Sequence, residues 1–153
     1  MNIIDKFEGE YRFLSNFWMS PLEYNGRTFH SVEQAYQFEK CDDLVYQNAI
    51  VKAEKPWKAK KIGKKKSMEE LGVEIREDWE EIKLDVMRKL VTIKFKNPEL
   101  RQKLINTGNA ELIEGNWWND KWWGVCNGIG ENHLGKILME VREEIMLDKV
   151  LGI

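Results

Sequence analysis

Glu33, Gln37 and Lys40 recur at intervals of four and three within SVEQAYQFEK. On an α-helix that spacing puts an acid, an amide and an amine on a single face. A carboxylate so placed can activate water or steady an oxocarbenium-like carbon. An amine left partly neutral by burial can instead attack such a carbon and form a Schiff base. The same spacing also describes a solvated face whose polar pairs support the helix by only ~0.3 kcal/mol each, and at this point both readings stand. The second stretch with chemical content is Glu114 to Gly135, EGNWWNDKWWGVCNGIGENHLG. It sets four Trp beside Asp120, several amides and repeated Gly. An indole offers a broad face and one N–H, so such a loop can stack on a flat heterocycle while its neighbours supply hydrogen bonds. The alternative is a small indole core with Gly and Asn merely turning the chain; the density of turn-formers favours a functional loop. Carboxylates, one helix-borne lysine and an aromatic-amide loop together suit cleavage at a sugar carbon that bears a nitrogen heterocycle. Hydride transfer, zinc hydrolysis and acyl transfer lose support, because the sequence carries no Gly-rich phosphate loop, GxGxxG, GxSxG, HExxH or Cys-His nucleophile pattern.

Several elements must position these groups. Asn25-Gly26 between β-formers predicts a hairpin over Leu22 to Phe29. Upstream of it, Arg12, Ser15 and Asn16 form a polar patch in apolar text, either turn chemistry or a ligand contact. Ser31, with Gln34 three residues on, reads as a capping box that opens the Glu33 helix, and Val32, Ala35 and Tyr36 form its apolar stripe. Asp42 or Asp43 can cap a further helix through Ile50. Pro56 suits the first turn of another, which Gly63 weakens at its end. The run from Lys52 to Lys66 is dense in lysine, either a solvated face or a phosphate contact. Glu69 to Glu81 is acidic and leads into a long helix striped by Trp79, Ile82, Val86, Leu90 and Ile93. Trp79, at its start, reads as core, with a pocket lid as the alternative. Asn97-Pro98 starts a helix to Asn106, ended by Gly108, and Ala110 to Glu114 reads as a strand. Asn132 can cap a last helix striped by Leu134, Ile137, Leu138, Val141 and Ile145. The expected fold class is α+β, mainly α: a compact single domain over residues 1–153 with small β elements.

Composition bounds the rest. The 153 residues suffice for a sizeable core without metal or disulfide staples. With 42% hydrophobic and 33% charged residues, the chain reads as a soluble globular protein. No apolar run approaches the ~20 residues of a membrane span, and the N-terminus has no signal-peptide pattern, so a cytoplasmic protein is expected. Cys41 and Cys126 are far apart and outside any CxxC, and His30 and His133 lack partners at metal-ligand spacing. No metal, no cofactor and no disulfide are expected. The net charge of −2 argues against a basic nucleic-acid binder overall.

Taken in order, FLSNF (Phe13 to Phe17), SVEQAYQFEK (Ser31 to Lys40), AKKIG (Ala59 to Gly63), REDWEEIKLDVM (Arg76 to Met87), Lys94-Phe95, LINTG (Leu104 to Gly108), LIE (Leu112 to Glu114), DKWWG (Asp120 to Gly124) and GENHLGKILMEVR (Gly130 to Arg142) resemble the NADAR, or YbiA-like, domain family. No single piece is specific, but the ordered set spans nearly the whole chain. The resemblance implies a compact, mainly helical, metal-free N-glycosidase for small ribosylated molecules. Family members are linked to destroying reactive riboflavin-biosynthesis intermediates, and others to removing ADP-ribose from modified guanine. It further implies catalytic roles for Glu33, Lys40 and Asp120. Asn16, Gln37, Trp79, Trp123, Gly124, Asn132 and Gly135 become candidate substrate contacts. Two departures stand out: Gln34 where the family often has His, which removes an imidazole proton shuttle, and the Trp117-Trp118 pair, a local elaboration. Trp117, Trp118 and Trp122 are assigned to the core. The expected partner is a small ribosylated or ADP-ribosylated substrate, with nucleic acid only as ADP-ribosylated substrate, no membrane, and a monomer or weak homo-oligomer. Rival readings are ADP-ribosyl hydrolysis, with Lys52 to Lys66 meeting a diphosphate, a non-catalytic nucleotide or ADP-ribose binding module in which Trp79 and Trp123 stack a base, and a structural adaptor whose Trp loop is a protein interface.

Overall fold

The computed structural model describes residues 2–153. In chain order the elements are β1 (Ile3–Ile4), a 3-10 helix (Gly9–Leu14), β2 (Leu22–Tyr24), β3 (Arg27–Phe29), α1 (Val32–Glu39), α2 (Leu44–Lys52), α3 (Pro56–Ile62), α4 (Lys65–Leu71), α5 (Trp79–Lys94), α6 (Pro98–Asn106), β4 (Glu111–Leu112), β5 (Gly115–Asn116), β6 (Val125–Cys126) and α7 (His133–Leu151). The fold is mainly helical with small β elements, as the sequence predicts. Its elements fall into two units, one of Asn16–Lys94 and one of Phe95–Ile153 with the segment up to Ser15.

In the Asn16–Lys94 unit, β2 and β3 pair antiparallel around Asn25 and Gly26, both at positive φ. That is the hairpin the Asn-Gly pair predicts. Ser31 caps α1 as expected, its Oγ accepting from Gln34 N at 3.1 Å. The reciprocal half of the capping box is absent. The Gln34 side chain accepts from His30 N and donates to the Ile50 and Val51 carbonyls. It therefore locks α1 to the end of α2. Asp43, not Asp42, caps α2 through a bond from Val45 N, and α2 runs two residues past the expected Ile50. Cys41, Tyr46, Ile50, Ala53, Ala59, Met68 and Val73 form one core cluster, with Phe38 and Ile62 packed against it. Burial of each large member contributes roughly 1.5–3 kcal/mol. The short helix α4 was not legible in the charged text; left-handed Gly72 ends it. On α5, Trp79, Val86 and Leu90 are buried as expected, whereas Ile82 and Ile93 are half-exposed. Met87, Val91 and Lys94 are buried instead, so the inward face is rotated toward them. α1 packs against α2, α3 and α5.

In the other unit, Asn97 caps α6 with bonds from Glu99 N and Leu100 N. β4 pairs in parallel with β1, and β5 with β6; neither β1 nor the β5–β6 pair was read from the sequence. All five residues of the expected α7 stripe are buried, and α7 packs on α6 and β4. Phe13 and Phe95 meet edge to face at 6.4 Å.

Candidate active site

Each half of the expected site lies in one unit and is described within it. In the first, the polar face of α1 is buried: Glu33 is 7% and Gln37 6% exposed. A merely solvated face is therefore excluded. Gln37 Nε2 donates to Glu33 Oε1 at 3.1 Å, one helical turn away. Tyr46 Oη donates to Gln37 O at 2.7 Å, and Glu33 N donates to Asn16 O at 3.1 Å. Asn16 thus holds the start of α1 through its main chain, while its own amide points at Met87 Sδ, 3.5 Å away. Lys40, half-buried at the end of the row, donates from Nζ to Gly63 O at 2.6 Å. Burial pushes the Lys40 ammonium below the usual lysine range, Glu33 and Glu80 oppose that shift, and Lys83 reinforces it. An amine that sheds its proton more readily is closer to a nucleophile. Trp79 is buried and packs on Tyr36 with ring centroids 5.0 Å apart, which gives the core reading its contact.

The Lys-rich run from Lys52 to Lys66 begins on the last residue of α2 and continues through α3 to the start of α4. Trp57 is exposed there beneath Lys58 Nζ, and Lys60 Nζ sits 5.6 Å from the Phe17 ring centroid.

In the second unit, Asp120 Oδ1 accepts from Trp122 N at 3.1 Å and Trp123 N at 2.9 Å. Asn116 spans the same turn, accepting from Asp120 N and donating to Asp120 O. Asp120 is thus the acceptor around which the loop turns and which fixes the backbone of Trp123. Trp122 stacks on His133 at 4.2 Å, tilted 47°. The core assignment fails for two indoles: Trp117 is 83% exposed and Trp118 45%, the pair meeting edge to face at the surface. Asn132 does precede α7, but it adopts left-handed φ and its side chain caps nothing. The amide instead accepts from Glu114 N and donates to Leu112 O. The helix start is satisfied from outside: Glu131, Asn132, His133 and Leu134 N–H groups donate to the carbonyls of Lys121, Gly124, Trp122 and Trp123. Gly124 and Gly135 are both required by close approach. A Cβ on Gly124 would strike Glu114, and one on Gly135 would strike Leu112 O and the Asn132 amide.

Three further residues, none of them a site candidate in the sequence, shape these clusters. Tyr46 anchors Gln37, Gly63 receives Lys40, and Glu114 lies against Gly124 while accepting from Asn116 Nδ2 at 3.1 Å. Gly63 and Glu114 each sat inside a matched segment, which was the available signal.

The comparisons with known proteins place the chain among hydrolases that act on N-glycosyl bonds. The NADAR domain model matches residues 4–146, and the chain belongs to that family as an N-glycosidase. It is 36% identical to the N-glycosidase YbiA of Shigella boydii over 142 residues, 92% of this chain and 85% of that protein. It is 35% identical to a riboflavin biosynthesis protein of Vibrio vulnificus over 134 residues, 87% of this chain but 35% of that longer protein. The solved structure of Escherichia coli YbiA superposes with a TM-score of 0.85 at 34% identity, covering 97% of this chain and 88% of that one.

Proposed function

We propose that the chain hydrolyses the N-glycosidic bond of small ribosylated molecules of the kind that arise as reactive riboflavin-biosynthesis intermediates, with Glu33 and Lys40 supplying the chemistry. The observation that carries this reading is the buried row on α1, where a carboxylate held by Gln37 and an amine depressed by burial share one helical face. Relatives named for riboflavin biosynthesis support the substrate class. In one route Glu33 takes a proton from water, the water oxygen bonds to the anomeric carbon, and the C–N electron pair leaves with the base, which is then protonated. In the other, neutral Lys40 attacks the anomeric carbon, the base departs, the ring opens to a protonated Schiff base, and water releases the sugar. In the other unit, Asp120 fixes the Trp123 backbone by accepting its N–H at 2.9 Å. Asn16 and Gln37 hold α1 through the contacts described above, and in the other unit Gly124, Asn132 and Gly135 keep the close approaches around the tryptophan loop. The match from residue 4 to residue 146 supports a single domain.

The test is base release, followed by chromatography, from a phosphoribosylated pyrimidine intermediate and from ADP-ribosylated guanosine. Release from neither refutes the reading. Borohydride added during turnover separates the routes: an adduct on Lys40 supports the Schiff base, and continued turnover without one assigns the chemistry to water. ADP-ribosyl removal from guanine is the second reading, favoured by the exposed lysines of α3, the helix whose cap residue Gly63 also holds Lys40. It predicts preference for the ADP-ribosylated probe. A non-catalytic nucleotide or ADP-ribose reader would bind either probe and release no base.

A further inference from the structure

We propose that Gly63 is a positioning residue for this reaction, holding the Lys40 amine and the Glu33 carboxylate in place together. The inference rests on the assignment of Lys40 and Glu33 made above. Two contacts converge on this buried glycine. Its carbonyl accepts the Lys40 Nζ bond at 2.6 Å, fixing the amine. Its Cα lies so close to Gln37 that an added Cβ would overlap the amide oxygen and crowd the Tyr46 hydroxyl at 3.3 Å. The Gln37 amide thus occupies the space a side chain would fill, and from there its Nε2 reaches Glu33 Oε1. Gln37 Oε1 is buried with no hydrogen-bond partner. Contact with Gly63 and the bond to Glu33 are therefore what set that amide. The backbone itself does not demand glycine: Gly63 has φ −75° and ψ −1°, a conformation open to alanine. At the end of a helix, alanine with these angles would ordinarily be favoured over glycine. What excludes it here is the Gln37 amide that reaches Glu33, with the Tyr46 hydroxyl beside it.

The experiment compares Gly63→Ala, Gln37→Ala and the double variant with the wild-type chain. Turnover of a phosphoribosylated pyrimidine is measured as kcat and KM. Independently of turnover, the rate of Lys40 reductive methylation by formaldehyde and cyanoborohydride is followed by peptide mass spectrometry, with exposed Lys58 as internal reference. Gly63→Ala is expected to lower kcat about tenfold or more with KM changed less than about twofold, since it misplaces reacting groups. Its Lys40 labelling rate should change by about threefold or more while that of Lys58 holds, because the amine loses its fixed environment. In the Gln37→Ala background the same substitution should change both quantities far less, the amide atoms that the new methyl overlaps being gone and only the Tyr46 hydroxyl remaining at 3.3 Å. Wild-type kcat and labelling in Gly63→Ala, or an equal effect in both backgrounds, would overturn the proposal. If Gly63→Ala does not fold, a double variant that folds supports the contact, and one that also fails to fold overturns it. A wild-type chain that releases no base refutes the functional reading, whereas the Lys40 labelling still decides what Gly63 positions.

Discussion

Lys94 closes α5 with only 4% of its surface exposed, and burial pushes its amine from 10.5 down to about 7. Between those two values the unfolded chain holds the proton and the folded chain does not, so stability must rise with pH through that window. The slope approaches ~1.4 kcal/mol per pH unit well inside the window. Allowing for half-titration of the folded amine near pH 7, the gain from pH 7 to pH 9 is about 2 kcal/mol. Lys94→Met keeps the side-chain length and removes the proton. Urea unfolding of both chains at pH 7, 8 and 9 isolates the contribution as the difference between them. Burial holds the Cys41 thiol and the Tyr46 phenol above their ordinary values, but both groups are present in the two chains and cancel. The wild-type chain should gain about 2 kcal/mol on the variant over this range. Parallel stability curves would show that Lys94 keeps an ordinary pKa and that the reasoning from its burial is wrong.

Glu33→Gln should lower base release about a hundredfold or more while probe affinity, measured by Trp fluorescence, changes only a few-fold, because the amide keeps the shape but not the charge. Asn132→Ala leaves Leu112 O and Glu114 N without their partner and should cost roughly 2–4 kcal/mol in thermal or urea unfolding. Asp120→Ala removes the acceptor of two loop amides and should destabilise by about 1–3 kcal/mol, with a change in Trp fluorescence. Trp117→Ser, by contrast, should leave stability within about 0.5 kcal/mol, as the ring is exposed.

The parts of this fold that local chemistry dictates were legible in the sequence. Asn25-Gly26 needs positive φ, Ser31 and Asn97 offer cap oxygens, and the α7 stripe has helical period; each element stands where those rules put it. Long-range pairing was not legible. β1 and β4 are two residues each and 108 positions apart in register, too short to carry an alternating pattern. Asn132 shows the same limit at side-chain level: an Asn before a helix reads as a cap, but β4 and Glu114 claim its amide first. The α1 row was legible as spacing but ambiguous as burial, since Glu, Gln and Lys are residues expected in water. Within the Trp-rich loop, Trp117 and Trp118 read as core because indole size argues for burial, whereas both rings lie exposed.

The arrangement at the start of α7 has a dynamic consequence. Four consecutive amides, Glu131 to Leu134, are protected by carbonyls of the 121–124 segment instead of by a turn of their own helix. Opening the tryptophan loop therefore exposes those amides as a block, and fraying of the helix releases the loop in turn. Hydrogen exchange at these four positions should proceed with a common opening free energy, distinct from the α7 interior, and should slow together when a ligand holds Trp123 in place. The amide proton of Leu134, itself a core residue, becomes a reporter of occupancy at a loop whose chemistry it never touches.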